Sequence, residues 1–474
     1  MNRRNLLKLG GVTGAGALML PFDRIAEAFT GAPAVPVFEV PLTVPPVLRP
    51  SFRLGTTEFY DITMRERAVE ILPGTRTPIW GYNGNFPGPT IRTRRGRQVI
   101  VRQHNKLPEQ TAVHLHGANV ASHSDGLPGD EIRPGGSRIY YYPNRQPATT
   151  LWYHDHVHHN ESRHTYLGLA GLYIVTDTFE ERLKLPGGDY DVPLIIQDRF
   201  FNPDGSFRLP NPGEFFGDVM LVNGRPRPFF EVERRPYRFR LLNASSLDCL
   251  LDLSLGSGGM FHVIGSDGGL LPAPVPMSTL PLAPAERLDV VIDFSQFERG
   301  ARVELRGSIF GAPVDVLRFD VTGKASRHDR LPATLVEVER LRESAATTRR
   351  EFVLAFDPAA GKMLINGKEF DPNRVDIRPR LGDVEVWTVI NGQTAELPIP
   401  HVFHTHLVRF QILDRDGIPP APHEAGWKDS VNVPPGQRVR LIMRFGDFTG
   451  RYLYHCHLLG HADLGMMAQM EVVR

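Results

Sequence analysis

Near its end the sequence reads His455-Cys456-His457, then His461, then Met466. A cysteine, two histidines and a more distant methionine are the donor set of a mononuclear electron-transfer copper. If Tyr452 to His457 is a strand, its side chains alternate between faces. Cys456 then points one way, and His455 and His457 point the other. A copper held by Cys456 would stand back to back with whatever metal the two histidines hold. The strand is a covalent wire between two metal sites.

The remaining histidines supply the second site. The sequence has 18, and they fall in clusters. One is His114-Leu115-His116 and another is His154-Asp155-His156. A third runs His401-Val402-Phe403-His404-Thr405-His406. On a strand, each His-x-His pair puts two imidazoles on one face, about 7 Å apart, the scale needed to flank one metal cluster. Zinc also takes histidine clusters, but it does not account for a Cys-His-His-Met set. Outside the clusters, His262 stands alone and reads as structural. His158, His159 and His164 read as a solvated polar loop, and so does His423, whose loop precedes Trp427.

These residues need strands to carry them. Gly (45) and Pro (41) are abundant, and the apolar runs are short and rich in Val, Ile, Phe and Tyr, which points to all-β sandwiches. One pattern occurs three times. Asn83-Gly84 leads to Asn105, Asn223-Gly224 to Asn243, and Asn366-Gly367 to Asn391, the Asn-Gly pairs lying 140 and then 143 residues apart by subtraction. Repetition at that period predicts three domains. They are placed at 51–185, 186–325 and 326–474, with no copper in the second. A short helix is expected around Leu335–Ser344, in the charged link before the third domain.

The chain opens with Arg3-Arg4, an apolar Gly/Ala-rich run from Leu9 to Phe22, and Ala26-Glu27-Ala28 as a cleavage site. Residues 1–28 therefore read as a twin-arginine export signal, and 29–50 as a Pro-rich extended leader. The apolar run is too short to span a bilayer. A periplasmic or extracellular protein with no membrane segment in its mature form is expected. The formal net charge of +1 suggests no nucleic-acid partner. Of two cysteines, Cys249 lies in an apolar alternating stretch and reads as a buried thiol. If Cys456 is a ligand, no disulfide forms within the chain.

With the four clusters in order, the chain resembles the multicopper oxidases, in their three-domain bacterial laccase, bilirubin-oxidase-like and cuprous-oxidase branch. Asn83-Gly84 to Ile91, Pro284-Ala285-Glu286-Arg287-Leu288-Asp289-Val290, and Gly426-Trp427-Lys428-Asp429-Ser430-Val431 carry the resemblance beyond the copper motifs. It implies three consecutive cupredoxin-like Greek-key sandwiches and four coppers. The type 1 copper would take His401, Cys456, His461 and, weakly, Met466. The type 2 copper would take His114 and His404. The type 3 pair would take His116, His154, His156, His406, His455 and His457.

The resemblance further implies one-electron oxidation of a reductant at the type 1 copper. Electrons would pass through Cys456 to His455 and His457, and O2 would be reduced to water between the first and third domains. Asp125 would belong to the proton relay. The family's usual Glu after His461 is replaced by Ala462, which leaves Asp463 to substitute or the relay to differ. Asp429 would bond a type 1 histidine or a substrate proton. No Met-rich insert stands in the third domain, so phenols and aromatic amines rank ahead of Cu(I), Fe(II) or Mn(II) as reductants. The fold also has a cell-division branch, which lacks the copper histidines. A monomer is expected, since one chain already holds both halves of the cluster.

Overall fold

The computed structural model describes residues 35–211, 213–256, 258–323, 330–394 and 396–474. The export signal expected at 1–28 lies outside the described residues.

Strands dominate, and their sheets divide in sequence order into three two-sheet sandwiches. The first runs from Phe52–Leu54 to Ala170–Thr176, the second from Asp191–Phe201 to Ala312–Thr322, and the third from Thr348–Asp357 to Met467–Val472. Each encloses its own apolar core. The third core contains Cys456 and Met466, so both are built into packed interior.

The threefold repeat appears as equivalent hydrogen bonds. Asn83, Asn223 and Asn366 all take left-handed backbone, at φ of 55°, 51° and 51°, and each is followed by a left-handed glycine. Asn tolerates that region and Gly has no Cβ to clash, which is why this pair recurs in tight turns. The side-chain oxygen of each Asn accepts from a neighbouring strand, from the N–H of Thr63, Ile195 and Val353 respectively. Asn105, Asn243 and Asn391 form a second set. Each amide donates to two backbone carbonyls and its oxygen accepts from the N–H two residues on. The strands ending at these residues each run parallel to an earlier one: Thr57–Val69 with Val99–Asn105, Asp191–Phe201 with Pro236–Asn243, and Thr348–Asp357 with Val384–Asn391.

The helix expected around Leu335–Ser344 is absent; apart from a single 3-10 turn at Glu343–Ala345, that stretch has no regular structure. Leu335 and Leu341 are buried, and their N–H groups donate to Pro272 O and Gln411 Oε1. Partners on the second domain (Pro272) and elsewhere on the third (Gln411) satisfy these two N–H groups, so a helix is not needed to do it. The described part of the leader is extended, bridging Pro41 to Phe229 and Val47 to Thr90. Cys249 is fully buried, just ahead of the strand Leu251–Leu255. Among the described residues no helix is long and apolar enough to cross a membrane.

Candidate metal centre

The first and third sandwiches each contribute a four-stranded sheet carrying the histidines. In one, Val113–His116 pairs antiparallel with Thr149–Asp155 and sets His114 opposite His154. In the other, His401–Thr405 pairs with Gly450–Cys456 and sets His404 opposite His455. His156, His406 and His457 follow their strands directly. Residues from both domains thereby meet in one buried room. Donor atoms of His116, His154 and His457 lie within 4.8 Å of one another, and so do those of His156, His406 and His455. His114 and His404 face each other with ring centroids 5.9 Å apart.

The rings are held from outside. His114 Nδ1 donates to Asp125 O at 2.7 Å, His404 Nδ1 to Asp429 O at 2.7 Å, His154 Nδ1 to Asp155 O at 2.9 Å and His455 Nδ1 to Cys456 O at 3.0 Å. His406 Nδ1 donates to Asp125 Oδ2 at 2.6 Å and His116 Nε2 to Asp429 Oδ1 at 3.0 Å. An acceptor on one nitrogen fixes the proton there and leaves a lone pair on the other. Those other nitrogens include His114 Nε2, His116 Nδ1, His154 Nε2 and His404 Nε2, all buried without a partner. Buried polar atoms are ordinarily bonded, so this set of orphans fits metal ligation. Burial pushes the imidazoles down, to about 3 for His154 and about 4 for His455, which keeps them neutral and able to ligate.

Across the strand, His401 Nδ1 and His461 Nδ1 are 3.3 Å apart, and each is 3.7 Å from Cys456 Sγ. A point about 2 Å from all three exists, which is a metal–ligand bond length. Met466 is fully buried beside them, its carbonyl accepting from Cys456 N–H at 3.0 Å. Burial alone would lower His461, but Asp248 and the Cys456 sulfur hold it up at about 10. His461 is 7% exposed, whereas every other ligand residue is 1% exposed or less.

Carboxylates complete the surroundings. Asp125 is fully buried between His406 and His114, and burial pushes its carboxyl well above the usual range. Asp463 has a different neighbourhood from the cluster: its carboxylate accepts from the N–H groups of Glu161 and Ser162, at 3.1 and 3.0 Å. Burial raises it to about 6. The acid that faces the cluster on this side is Glu161, in the helix Glu161–Leu167. Its oxygens lie 3.6 Å from His154 Nδ1 and 3.6 Å from His156 Nδ1, and burial pushes it well above the usual range. Sequence reasoning missed Glu161. The single hint was the missing acid at Ala462, and nothing in the order of residues says that a distant helix places a carboxyl beside His154 and His156.

Two further expectations are corrected. His164 is buried in that helix, not solvated; it bonds Asp155 Oδ2 at 2.8 Å and Glu109 Oε2 at 3.1 Å, an ion-pair environment that only the folded chain creates. Asp429 contacts neither a type 1 histidine nor the surface. It is buried against His116, and Arg287 occupies both of its oxygens.

Comparison with known proteins agrees with this geometry. Family models described as multicopper oxidase match residues 63–179 and 339–474. A laccase of Bacillus subtilis is 36% identical, covering 91% of this chain and 97% of its own. The cell division protein FtsP of Pectobacterium atrosepticum is 34% identical over 100% of this chain and 99% of its own. The crystal structure of a laccase from Pediococcus acidilactici superimposes with a TM-score of 0.87 at 34% identity, covering 94% of this chain and 95% of that one.

Proposed function

This chain belongs to the multicopper oxidases, and from that premise we propose that it oxidises phenols or aromatic amines one electron at a time and reduces O2 to water. It is an oxidoreductase that uses oxygen, and its cofactor is copper. We assign four coppers: one with His401, Cys456, His461 and Met466, one with His114 and His404, and two with the triads His116/His154/His457 and His156/His406/His455. Bound copper supplies single-electron exchange at the cysteine site and multi-electron reduction of O2 at the histidine room.

One observation carries the reading. A single strand end puts Cys456 into one donor set while its neighbours His455 and His457 each enter a histidine triad. The protein's own part is orientation, insulation and proton supply. Backbone carbonyls and carboxylates aim the imidazoles, and full burial keeps solvent from the room. Asp125 and Glu161, both raised by burial, hold protons close to the cluster rings.

The reductant meets the protein at His461, the ligand with exposed surface. Its Nε2 lies 3.6 Å from Asp248 Oδ2, on the second sandwich. A carboxylate there accepts a proton from a phenol or amine as its electron leaves. The same carboxylate suits a cation, and this favours oxidation of Cu(I), Fe(II) or Mn(II) as the second reading. A copper-less scaffold role, in line with the likeness to FtsP, is disfavoured by the intact ligand sets. We further propose export by the twin-arginine route to the periplasm or beyond, as a monomer without a membrane segment.

The test is copper content and visible spectrum of the purified protein, followed by O2 uptake with a phenol and with Cu(I). About four coppers per chain, a blue thiolate band and faster uptake with the phenol are expected. Faster uptake with Cu(I) would select the second reading. A copper-loaded protein with neither band nor uptake would overturn both.

A further inference from the structure

Among its described residues the middle sandwich holds no candidate ligand, yet one of its side chains reaches the cluster's support. Asp429 aims two rings at once. Its Oδ1 accepts from His116 Nε2 at 3.0 Å, and its backbone carbonyl accepts from His404 Nδ1 at 2.7 Å. Those two rings stack with centroids 3.7 Å apart and present His116 Nδ1 and His404 Nε2, both without partners.

Asp429 is in turn gripped by Arg287, from the strand Arg287–Asp293 of the second sandwich. Nη1 donates to Asp429 Oδ1 at 2.8 Å and Nη2 donates to Oδ2. The guanidinium's other bonds reach outward. Nε donates to Thr150 O at 3.0 Å in the first sandwich, and Nη1 to Ala285 O at 2.8 Å in its own. Arg287 is fully buried and touches all three domains. Asp267, whose Oδ1 accepts from Arg287 N at 2.8 Å, also takes Lys428 Nζ on Oδ2 at 2.9 Å, which pins the residue before Asp429. Gly117, directly after His116, has φ of +80°, and a Cβ there would collide with the Asp429 carboxylate and the Arg287 guanidinium. The packing leaves no room for a side chain at residue 117.

We propose that Arg287, acting through Asp429, is a positioning residue for His116 and His404, so that the copper-less middle domain sets how firmly metal is held at those two rings. This rests on the copper reading above. The planar fork is required: it engages both carboxylate oxygens while also bonding three backbone carbonyls, Thr150 O on the first domain and Ala285 O and Asp267 O on the second. A lysine carries the same charge but leaves most of those acceptors without a donor. With Asp429 free to turn, His116 loses the acceptor that fixes its proton on Nε2, and its Nδ1 is no longer reliably the lone-pair side.

The experiment uses copper-loaded full-length protein: wild type, Arg287→Lys and Asp429→Asn. Copper per chain, the blue band, the electron paramagnetic resonance signal of the His114/His404 copper, and loss of copper to a chelator are measured. Both variants are expected to keep the blue band and to lose cluster copper at about 10–100-fold lower chelator concentration, the usual effect of removing a support to a metal-bound histidine. The resonance signal should weaken or change its hyperfine pattern. A merely structural Arg287 would lower thermal stability and weaken all copper together. Parallel loss of the blue band, or a wild-type resonance signal with unchanged chelator resistance, overturns the proposal. If Arg287→Lys does not fold, Asp429→Asn decides by the same criteria, because it leaves Arg287 in place. Wild-type protein without copper would instead overturn the copper reading itself.

Discussion

His455 Nδ1 donates to the carbonyl oxygen of Cys456 at 3.0 Å, so the residue that faces one histidine triad is bonded to the thiol-bearing residue both through the peptide and across a hydrogen bond. The sulfur itself sits 3.7 Å from the donor nitrogens of His401 and His461. Two compact links therefore join the sites.

Cys456→Ser removes the soft donor while keeping a similar volume in a packed core. The blue band should vanish, copper should fall by about one per chain, and phenol-driven O2 uptake should drop by at least about a hundredfold. Absorption spectra and metal analysis check this. A blue band surviving in the serine protein would place the thiolate elsewhere.

Asp125→Asn leaves an oxygen for His406 Nδ1 but removes an acid that burial holds well above the usual range. Turnover should fall about 10²-fold, the lower end of what a positioned proton-transfer group contributes, with copper content unchanged. Oxygen uptake beside metal analysis reads both. Unchanged turnover would remove Asp125 from the proton route and leave Glu161 as the acid at the cluster.

Asp248→Asn separates the two classes of reductant. The carboxylate 3.6 Å from His461 Nε2 stabilises a cation directly. Losing that charge should raise KM for Cu(I) by about tenfold or more, in line with the loss of one charged contact. For a phenol, kcat should fall more than KM rises, since the residue serves proton removal there. Steady-state kinetics with both reductants distinguish these patterns. Equal losses in every parameter would mean that Asp248 only orients His461.

His164→Gln tests a pH-dependent contribution to stability. Burial alone would lower His164, but bonding to Asp155 and Glu109 outweighs it and raises the imidazole above its ordinary value. A raised histidine contributes stability that is fully present below its unfolded value, about 6.5, and is lost as pH climbs through the folded value. The melting-temperature gap between wild type and variant should be wide at pH 6 and narrow at pH 9. A gap that widens with pH would reverse the sign and contradict the ion-pair account.

Most of the scaffold was legible because it repeats. Asn-Gly and a later Asn mark the same two hydrogen-bonded corners in each sandwich, and local residues suffice to build them. The histidine clusters were legible because His-x-His on a strand already determines a face. What escaped depends on partners far away in sequence. Glu161 stands opposite Asp463, 302 residues away, and Arg287 grips Asp429 from 142 residues away. The stretch after Leu335 carries apolar residues that suit a helix, but its N–H groups found Pro272 and Gln411 instead.

The partition of the ligands also bears on the order of events during synthesis. His156 and His455 bring their Nε2 atoms to 3.3 Å, though 299 residues separate them in the chain. A polypeptide emerging from the ribosome passes through a long period in which His114 to His156 exist and their counterparts do not. In that period neither histidine triad can be completed. Each histidine triad is thus completed only when the third sandwich closes on the first.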